Sequence, residues 1–558
     1  MGPAAADARS WLKERARSGR RWIQATVVAG TLAALATIGQ MVLLSWLIYR
    51  GVILDVPAAS LAPGFGLLLG AIGVRALCQG LQTRFAARAS ERVRRQARRQ
   101  LYDQWQALGP VALADTSAAA LAREWLDHVD ALHGYVARFL PQMALAVIIP
   151  LMILALVFWL DWLAGMFLLL SAPLIPLFMA LIGMGAEKVN QQHFETASRL
   201  SGQFLDKVRG LTTLQLFGQT ARAGKMLHQR SDLYRQVTMK TLKVAFLSSA
   251  VLEFFASVAI AVIAIYIGFG LLGYISFGPS AQLTLFSGLL ILLLAPEFFQ
   301  PLRTLSQHYH DRAAALGAAA EILGRLQQTG AVEAAKADAP CPAPSSRTIA
   351  FDGVSVKYRG MGPVFKGLEL TIRRGQAVAL TGPSGGGKSS FLHLLAGFIQ
   401  PSAGRLSVFG EPAGKVPFGW LGQKGFWVSG SWADNLRMTS PEVSDIAIEH
   451  ALELVGLADL VASREHGIHS QVAEDGLGLS GGQARRLSLA RIFLADHDLI
   501  LLDEPTAGLD ATSEICVLKA LHTLAEAGKT LIFSTHHQAL LALADRVLII
   551  SNGEVRDA

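Results

Sequence analysis

Cysteine is nearly missing from this 558-residue chain: Cys78, Cys341 and Cys516 lie far apart and form no C-x-x-C pair, which excludes a disulfide framework and a cysteine-based zinc site. Charge is thin as well. Only 16% of the residues are Asp, Glu, Lys or Arg, against about 25% in ordinary soluble domains, and a mean hydropathy of +0.39 excludes a chain that lives wholly in water. The formal charge of +8 does not single out nucleic acid as a partner. Its Lys and Arg residues cluster beside apolar runs, where orientation in a membrane accounts for them.

What the chain has in quantity is long apolar segments. About 20 such residues cross roughly 30 Å of hydrocarbon as a helix, and six stretches qualify, near 23–50, 61–83, 134–160, 163–186, 244–272 and 280–300. The first follows a basic N-terminus (Lys13, Arg15, Arg17, Arg20, Arg21), is too long for a signal-peptide core, lacks a clear small-x-small cleavage site and is expected to stay as a membrane anchor. Three connections, GVILDVPAAS, the Asp161-Trp162 turn and GYISFGPS, contain no Lys or Arg, whereas RFAARASERVRRQARRQ and the stretch from Glu187 to Lys243 are rich in them. The positive-inside rule then puts both termini and both long loops in the cytoplasm. Those loops are poor in proline and glycine over much of their length and are expected to be membrane helices that continue into the cytosol.

After a helical run to about Leu326, TGAVEAAKADAPCPAPSS loses all periodicity and reads as a linker. The expected division is a membrane domain over 1–325, a linker over 326–347 and an α/β domain over 348–558, where strands alternate with helices. Two glycine-rich patches stand in that last domain. GPSGGGKSS follows the strand-like QAVALT and precedes the helix-like FLHLLAGF, which is the setting of a phosphate-binding loop. Backbone N–H groups of Gly382, Ser384, Gly385, Gly386 and Gly387 would turn around phosphates, Lys388 would add a point charge, and Ser389, followed by Ser390, would offer a hydroxyl to Mg²⁺. The apolar strand DLILLLDEP ends in Asp503 and Glu504, the first suited to hold Mg²⁺ through water and the second to polarise an attacking water. The second patch, LSGGQ, places Ser480, Gly481, Gly482 and Gln483 at the start of the helix-like ARRLSLARIFLA, a further anion cradle.

In order along the chain, Tyr358 in VKYRG, the phosphate loop, Gln423 in WLGQKGF, LSGGQ, LLLDEP, Asp510 in AGLD and His536 in STHH resemble the cassette of ATP-binding cassette proteins over roughly the last two hundred residues. The resemblance implies that Tyr358 stacks on adenine and that Gln423 reaches Mg²⁺ and the membrane domain. Glu504 would serve as general base or water-positioning carboxylate, and His536 would steady the γ-phosphate. His537 is expected to be a solvated neighbour. Ser480, Gly481, Gly482, Gln483 and Asp510 would complete the site of a partner subunit, so two such chains would have to associate.

The membrane half also resembles one branch of these exporters, in YVARFLPQMALAVIIPLM, APLIPLFMALIGMGA, LSGQFLDKVRG, AFLSSAVLEFF and LLAPEFFQPLR. These stretches are similar to the D-type subunits of the bacterial thiol-reductant exporter needed for cytochrome bd assembly. That implies a heterodimer in the inner membrane with a homologous C-type subunit, with cysteine and glutathione as exported cargo. Haem is also attributed to the family, as a bound regulator or as cargo. SQVAEDG, Ser470 to Gly476, departs from the T-E-V-G-E-R-G usual in exporters but keeps Glu474. GLTTLQLFGQ looks like a coupling segment that would dock on a cassette through Leu214 and Phe217, or else pack on its own bundle. Glu253 and Glu297 are costly so near the membrane core. Both lie nearer the cytoplasmic ends of their helices, and they either pair with Arg75, Arg138 or Arg303, or cap a helix break at Pro296, or line the cargo path together with Arg138. The run His308, Tyr309, His310 is read as polar residues on a helix extension, with haem ligation as the alternative.

Overall fold

The computed structural model describes residues 3–558 except 115, 174–199, 201–203, 205, 209, 276, 329, 331–345, 361, 424, 473–478 and 552. Two compact units emerge, one of Met1–Gln104 with Ser117–Gln327 and one of Trp105–Thr116 with Gln328–Ala558.

The first unit is helical. A short helix, α1 (Pro3–Ser18), precedes α2 (Arg20–Val52) and α3 (Ala58–Leu113). Next come α4 (Ala118–Leu160), interrupted by π-helical turns at Glu124–His128 and Gly134–Phe139, and α5 (Trp162–Ser171). The short α6 (Leu211–Leu216) leads into α7 (Thr220–Leu271), and α8 (Leu285–Leu326) closes the unit. Among the described residues five helices are long and apolar enough to cross a membrane, within α2, α3, α4, α7 and α8. The fourth expected span begins with α5, and its remainder lies outside the described residues. The sixth starts at Leu285, after a 3-10 turn at Gly278–Gln282, because Thr284 and Ser287 form a reciprocal capping box there.

α7 runs unbroken for 52 residues, about 78 Å at 1.5 Å per residue, far more than a bilayer needs. Its basic first half is thus an extension of the membrane helix, as expected of the long loops. α8 packs on α1, α2, α4 and α7, and its Leu294, Phe298 and Phe299 meet Ile153, Val157, Leu168 and Ile263 in a buried cluster. Large apolar side chains such as Leu69, Leu77 and Trp159 face outward, the inverse of a soluble protein and the arrangement that lipid permits. At the turn between α4 and α5 the buried Asp161 accepts the N–H groups of Leu163 and Ala164, each at 2.9 Å, and the Tyr266 hydroxyl at 2.9 Å. This satisfies a carboxylate that would otherwise be expensive to bury.

Among the described residues the second unit holds twelve strands. They are β1 (Thr348–Lys357), β2 (Pro363–Arg373), β3 (Ala377–Thr381), β4 (Ala403–Val408), β5 (Glu411–Pro412), β6 (Phe418–Leu421), β7 (Gly430–Ser431), β8 (Gln471–Val472), β9 (Leu499–Asp503), β10 (Thr530–Ser534), β11 (Arg546–Ser551) and β12 (Glu554–Asp557). The main sheet has the order β12-β11-β3-β10-β9-β6 and is parallel apart from the edge strand β12. β9 and β10 are buried along their whole length, which is why LILLD and TLIFS are continuous apolar runs rather than alternating ones. A smaller antiparallel sheet has the order β2-β1-β4-β5.

The tip of the first long loop, Trp105–Thr116, falls in this unit. Gly109, with φ 71°, interrupts α3 there, in the left-handed region that glycine adopts freely. Its Cβ position is 3.3 Å from the Phe398 carbonyl oxygen, and Val111 packs on the apolar cluster around Phe391 and Leu395.

Candidate active site

Strand order brings together the residues expected to handle phosphate. β3, β10 and β9 lie side by side and run in the same direction, so the loops leaving their C-terminal ends share one crevice. β3 feeds the glycine-rich loop, β9 ends on Asp503, and β10 ends on Ser534, just before His536.

In the loop Gly382, Gly385 and Gly387 have φ of 138°, 78° and 112°. A Cβ on Gly382 would stand 2.1 Å from the Ile550 carbonyl oxygen, so a side chain there requires the backbone to move. Ser384 and Gly385 are exposed and Gly386 half-buried. The loop ends at α9 (Lys388–Leu395), whose first residue is only 7% exposed. The Lys388 ammonium donates to the carbonyl oxygens of Gly382 at 2.8 Å and Pro383 at 3.1 Å. The loop thus curls around its own cation. Ser390 Oγ lies 3.0 Å from the hydroxyl of the half-buried Tyr358, which ties α9 to the end of β1.

Ser389 Oγ donates to Asp503 Oδ2 at 2.9 Å, and Ser534 Oγ to Asp503 Oδ1 at 2.6 Å. A hydroxyl and a carboxylate converging at one point are hard oxygen donors that fit Mg²⁺, an ion that takes few protein ligands and completes its shell with water and phosphate. Among the described residues no group of three or more His, Cys, Asp or Glu could hold a metal. Gln423 follows β6 and is exposed.

Glu504 is not glycine, yet its φ is 50°, a conformation costing about 1–3 kcal/mol that surrounding structure must impose. Two contacts impose it. Its N–H donates to Ser534 Oγ at 2.8 Å, and its carbonyl accepts from the Arg485 guanidinium, which also donates to the Asp503 carbonyl at 2.7 Å. Burial lowers the Arg485 pKa, opposed by the charges of Asp503 and Glu504. Sequence reasoning missed Arg485, since nothing in GGQARRLSLAR separates it from Arg486, which instead reaches the Gly456 carbonyl at 2.7 Å.

Arg485 belongs to α10 (Gly481–Ala495 in SGGQARRLSLARIFLA, the helix that the second glycine-rich patch opens). Ser480 caps it: the Gln483 N–H donates to Ser480 Oγ at 3.2 Å, and Gln483 Oε1 accepts the Ser480 N–H at 2.9 Å. Ser480 and Gly481 are exposed and Gly482 half-buried. Farther along, Arg491 donates to the carbonyls of Phe426 at 2.7 Å and Asn435 at 2.9 Å and lies over the Trp427 ring at 4.3 Å. Burial pushes its pKa down to about 10. One helix therefore joins the exposed Ser480 turn to the Asp503–Glu504 loop and to the segment after Gln423.

Asp510 caps α11 (Ala511–Glu526), accepting from the Ser513 N–H at 2.6 Å and its hydroxyl at 3.2 Å. These bonds, the backbone one first, hold its carboxyl below the ordinary carboxylate range. The Gly482 Cβ position is 3.0 Å from Ser513 Oγ, so the Ser480 and Asp510 turns are neighbours. His536 is exposed. His537 is more than a solvated neighbour, because its Nδ1 is 3.2 Å from Glu514 Oε1 in the first turn of α11.

In the helical unit, Leu216 and Phe217 are 81% and 74% exposed and Leu214 is half-buried. Glu474 lies outside the described residues. Glu253 pairs with Arg303 at 3.0 Å and Arg138 with Asp311 at 3.7 Å. Glu297 is half-buried and has no ion pair among the described residues. His308 lies 3.2 Å from Asp311, and the Tyr309 hydroxyl accepts from Arg312 at 2.6 Å.

Residues 24–294 match the family described as the ABC transporter transmembrane region, and residues 365–507 match the family described as ABC transporter. A Haemophilus influenzae protein named glutathione/L-cysteine transport system ATP-binding/permease protein CydD is 36% identical, over 98% of this chain and 94% of that protein. Its namesake from Escherichia coli is 35% identical over the same shares. A Bacillus subtilis CydC protein is 29% identical over 89% of this chain and 87% of its own length. Among solved structures, a bacterial Atm1-family ABC exporter with ATP bound superposes with a TM-score of 0.78, at 20% identity, over 96% of this chain and 94% of that one.

Proposed function

The chain belongs to the ATP-binding cassette exporter family, and from that membership we propose that it is the D-type half of a heterodimeric pump that moves small thiols, cysteine and glutathione, out of the cytoplasm. The observation that carries this reading is agreement at 36% identity along 98% of the chain with a relative named for glutathione and L-cysteine transport. The partner is a homologous C-type subunit, and the pump sits in the bacterial inner membrane with both termini and the cassette in the cytoplasm.

ATP hydrolysis drives the transport. The Gly382–Ser390 loop binds the phosphates, with Lys388 as point charge and Tyr358 against the adenine. Ser389 and Asp503 would hold Mg²⁺ together with Gln423, and the ion when bound neutralises charge on the transferring phosphoryl group. Glu504 orients the attacking water and accepts its proton, and His536 contacts the γ-phosphate. Ser480, Gly481, Gly482, Gln483 and Asp510 face a triphosphate held by the partner, which accounts for a second cradle in a chain that already has one. Leu214, Phe217 and Glu474 transmit closure to the membrane helices.

The test is copurification with the C-type subunit, then uptake of labelled cysteine, glutathione, haem and lipid into proteoliposomes. ATP-dependent accumulation of thiols supports the reading. Movement or ATPase stimulation by haem or lipid alone overturns it.

A further inference from the structure

We infer that Arg75, with Gln40 beside it, is a carboxylate-binding point on the cargo path; this rests on the thiol reading above and deepens it. Arg75 stands nine residues before Arg84, the first of the basic run on α3, or about 14 Å along a helix. Gln40 stands ten residues before Arg50 on α2, about 15 Å by the same rise. Both distances put the pair near the middle of a hydrocarbon layer about 30 Å thick.

Three other charges of the helical unit have ionic or multiple partners, whereas Glu297 has no ion pair among the described residues. Glu253 has Arg303, Arg138 has Asp311, and Asp161 accepts three hydrogen bonds. Arg75 differs. Its Nη1 donates to Gln40 Oε1 at 3.3 Å, and among the described residues no carboxylate forms an ion pair with it. Its side chain is partly exposed rather than sealed.

Arginine only donates, so Gln40 must turn its oxygen toward it, which leaves the amide N–H groups as further donors. A guanidinium fork next to an amide matches a carboxylate bidentately. Cysteine and glutathione both carry one, whereas the thiol alone offers arginine little.

The experiment uses the complex with its C-type partner in proteoliposomes and reads cargo-stimulated ATPase with cysteine and with cysteamine, which keeps the thiol and the ammonium but lacks the carboxylate. Half-saturation by cysteine is expected at a concentration at least about tenfold below that of cysteamine, the scale of one charged hydrogen-bonding contact. Arg75→Gln should bring that ratio close to one, and Gln40→Ala should lower it several-fold. An unchanged ratio in Arg75→Gln, or a ratio near one before any substitution, overturns the carboxylate site and leaves the thiol reading standing. No response to any thiol overturns both. If Arg75→Gln fails to assemble, the ratio in Gln40→Ala decides. Assembly lost in Arg75→Gln with the ratio intact in Gln40→Ala marks a structural ion pair with the partner subunit and overturns the proposal.

Discussion

The Gly382–Ser390 loop and the Leu479–Gln483 turn are both expected as backbone anion cradles and both stand at helix N-termini, but they differ in what each already contains. The first is folded around a buried ammonium that satisfies two of the loop's own carbonyls. The second holds no cation: its serine is taken up in capping α10, and Ser480 and Gly481 face outward. On the proposed reading, the loop with its own charge founds the nucleotide site. A turn with only N–H groups and a helix dipole offers about half an elementary charge, which on the same reading completes a triphosphate site rather than founding one.

Substitutions separate the two roles. The largest expected effect is at the carboxylate between them: Glu504→Gln should slow ATP hydrolysis by about 10²–10³-fold while ATP still binds, the scale of losing a positioned catalytic group, read as phosphate release against nucleotide retention. Lys388→Ala should weaken ATP binding by about 10²-fold through loss of a charged contact, whereas Ser480→Arg should leave binding by the same chain intact and reduce hydrolysis by the assembled pair. Equal loss of binding in both variants would erase the distinction between founding and completing. Arg485→Gln should lower kcat by about tenfold with KM little changed, because it frees the strained Glu504 backbone without touching the phosphate loop. A matching rise in KM would assign Arg485 to binding instead.

The smallest effect is a pH dependence from the helix that the first cradle opens. His393 on α9 packs near Phe398 and Trp420, and burial lowers its pKa from 6.5, with Asp503 opposing. Stability supplied by the neutral imidazole is complete above the ordinary value and is lost as pH falls through the lowered folded-state value. The melting temperature should therefore fall on going from about pH 7.5 to 5.5, and fall less in His393→Phe. An identical drop in both proteins would place the titrating group elsewhere.

Much of the cassette was legible because phosphate chemistry demands particular residue types at fixed spacing. LLLDEP reads as a buried strand ending in carboxylates, and its place beside the phosphate loop follows from a parallel sheet in which β10 separates β3 from β9. Arg485 was not legible. Its role depends on which face of α10 meets the Glu504 carbonyl, and adjacent arginines look alike until the helix is packed. In the membrane half, apolar length announced the spans, and the unbroken α7 agrees with helices that continue beyond the bilayer. The grouping of Trp105–Thr116 with the cassette had no such signal, since a glycine followed by a proline in a helical run marks a bend and not its destination. Partner choice was also hidden: three arginines were plausible for Glu253, and only packing selects Arg303.

Arg485 and Arg491 make α10 a rigid rod clamped at two points to its own domain. Whatever tugs the outward turn at its tip is felt at the Asp503–Glu504 loop without any soft joint between. If two such halves associate as proposed, each would keep the other's time, and an inhibitor wedged under that tip would stall both at once.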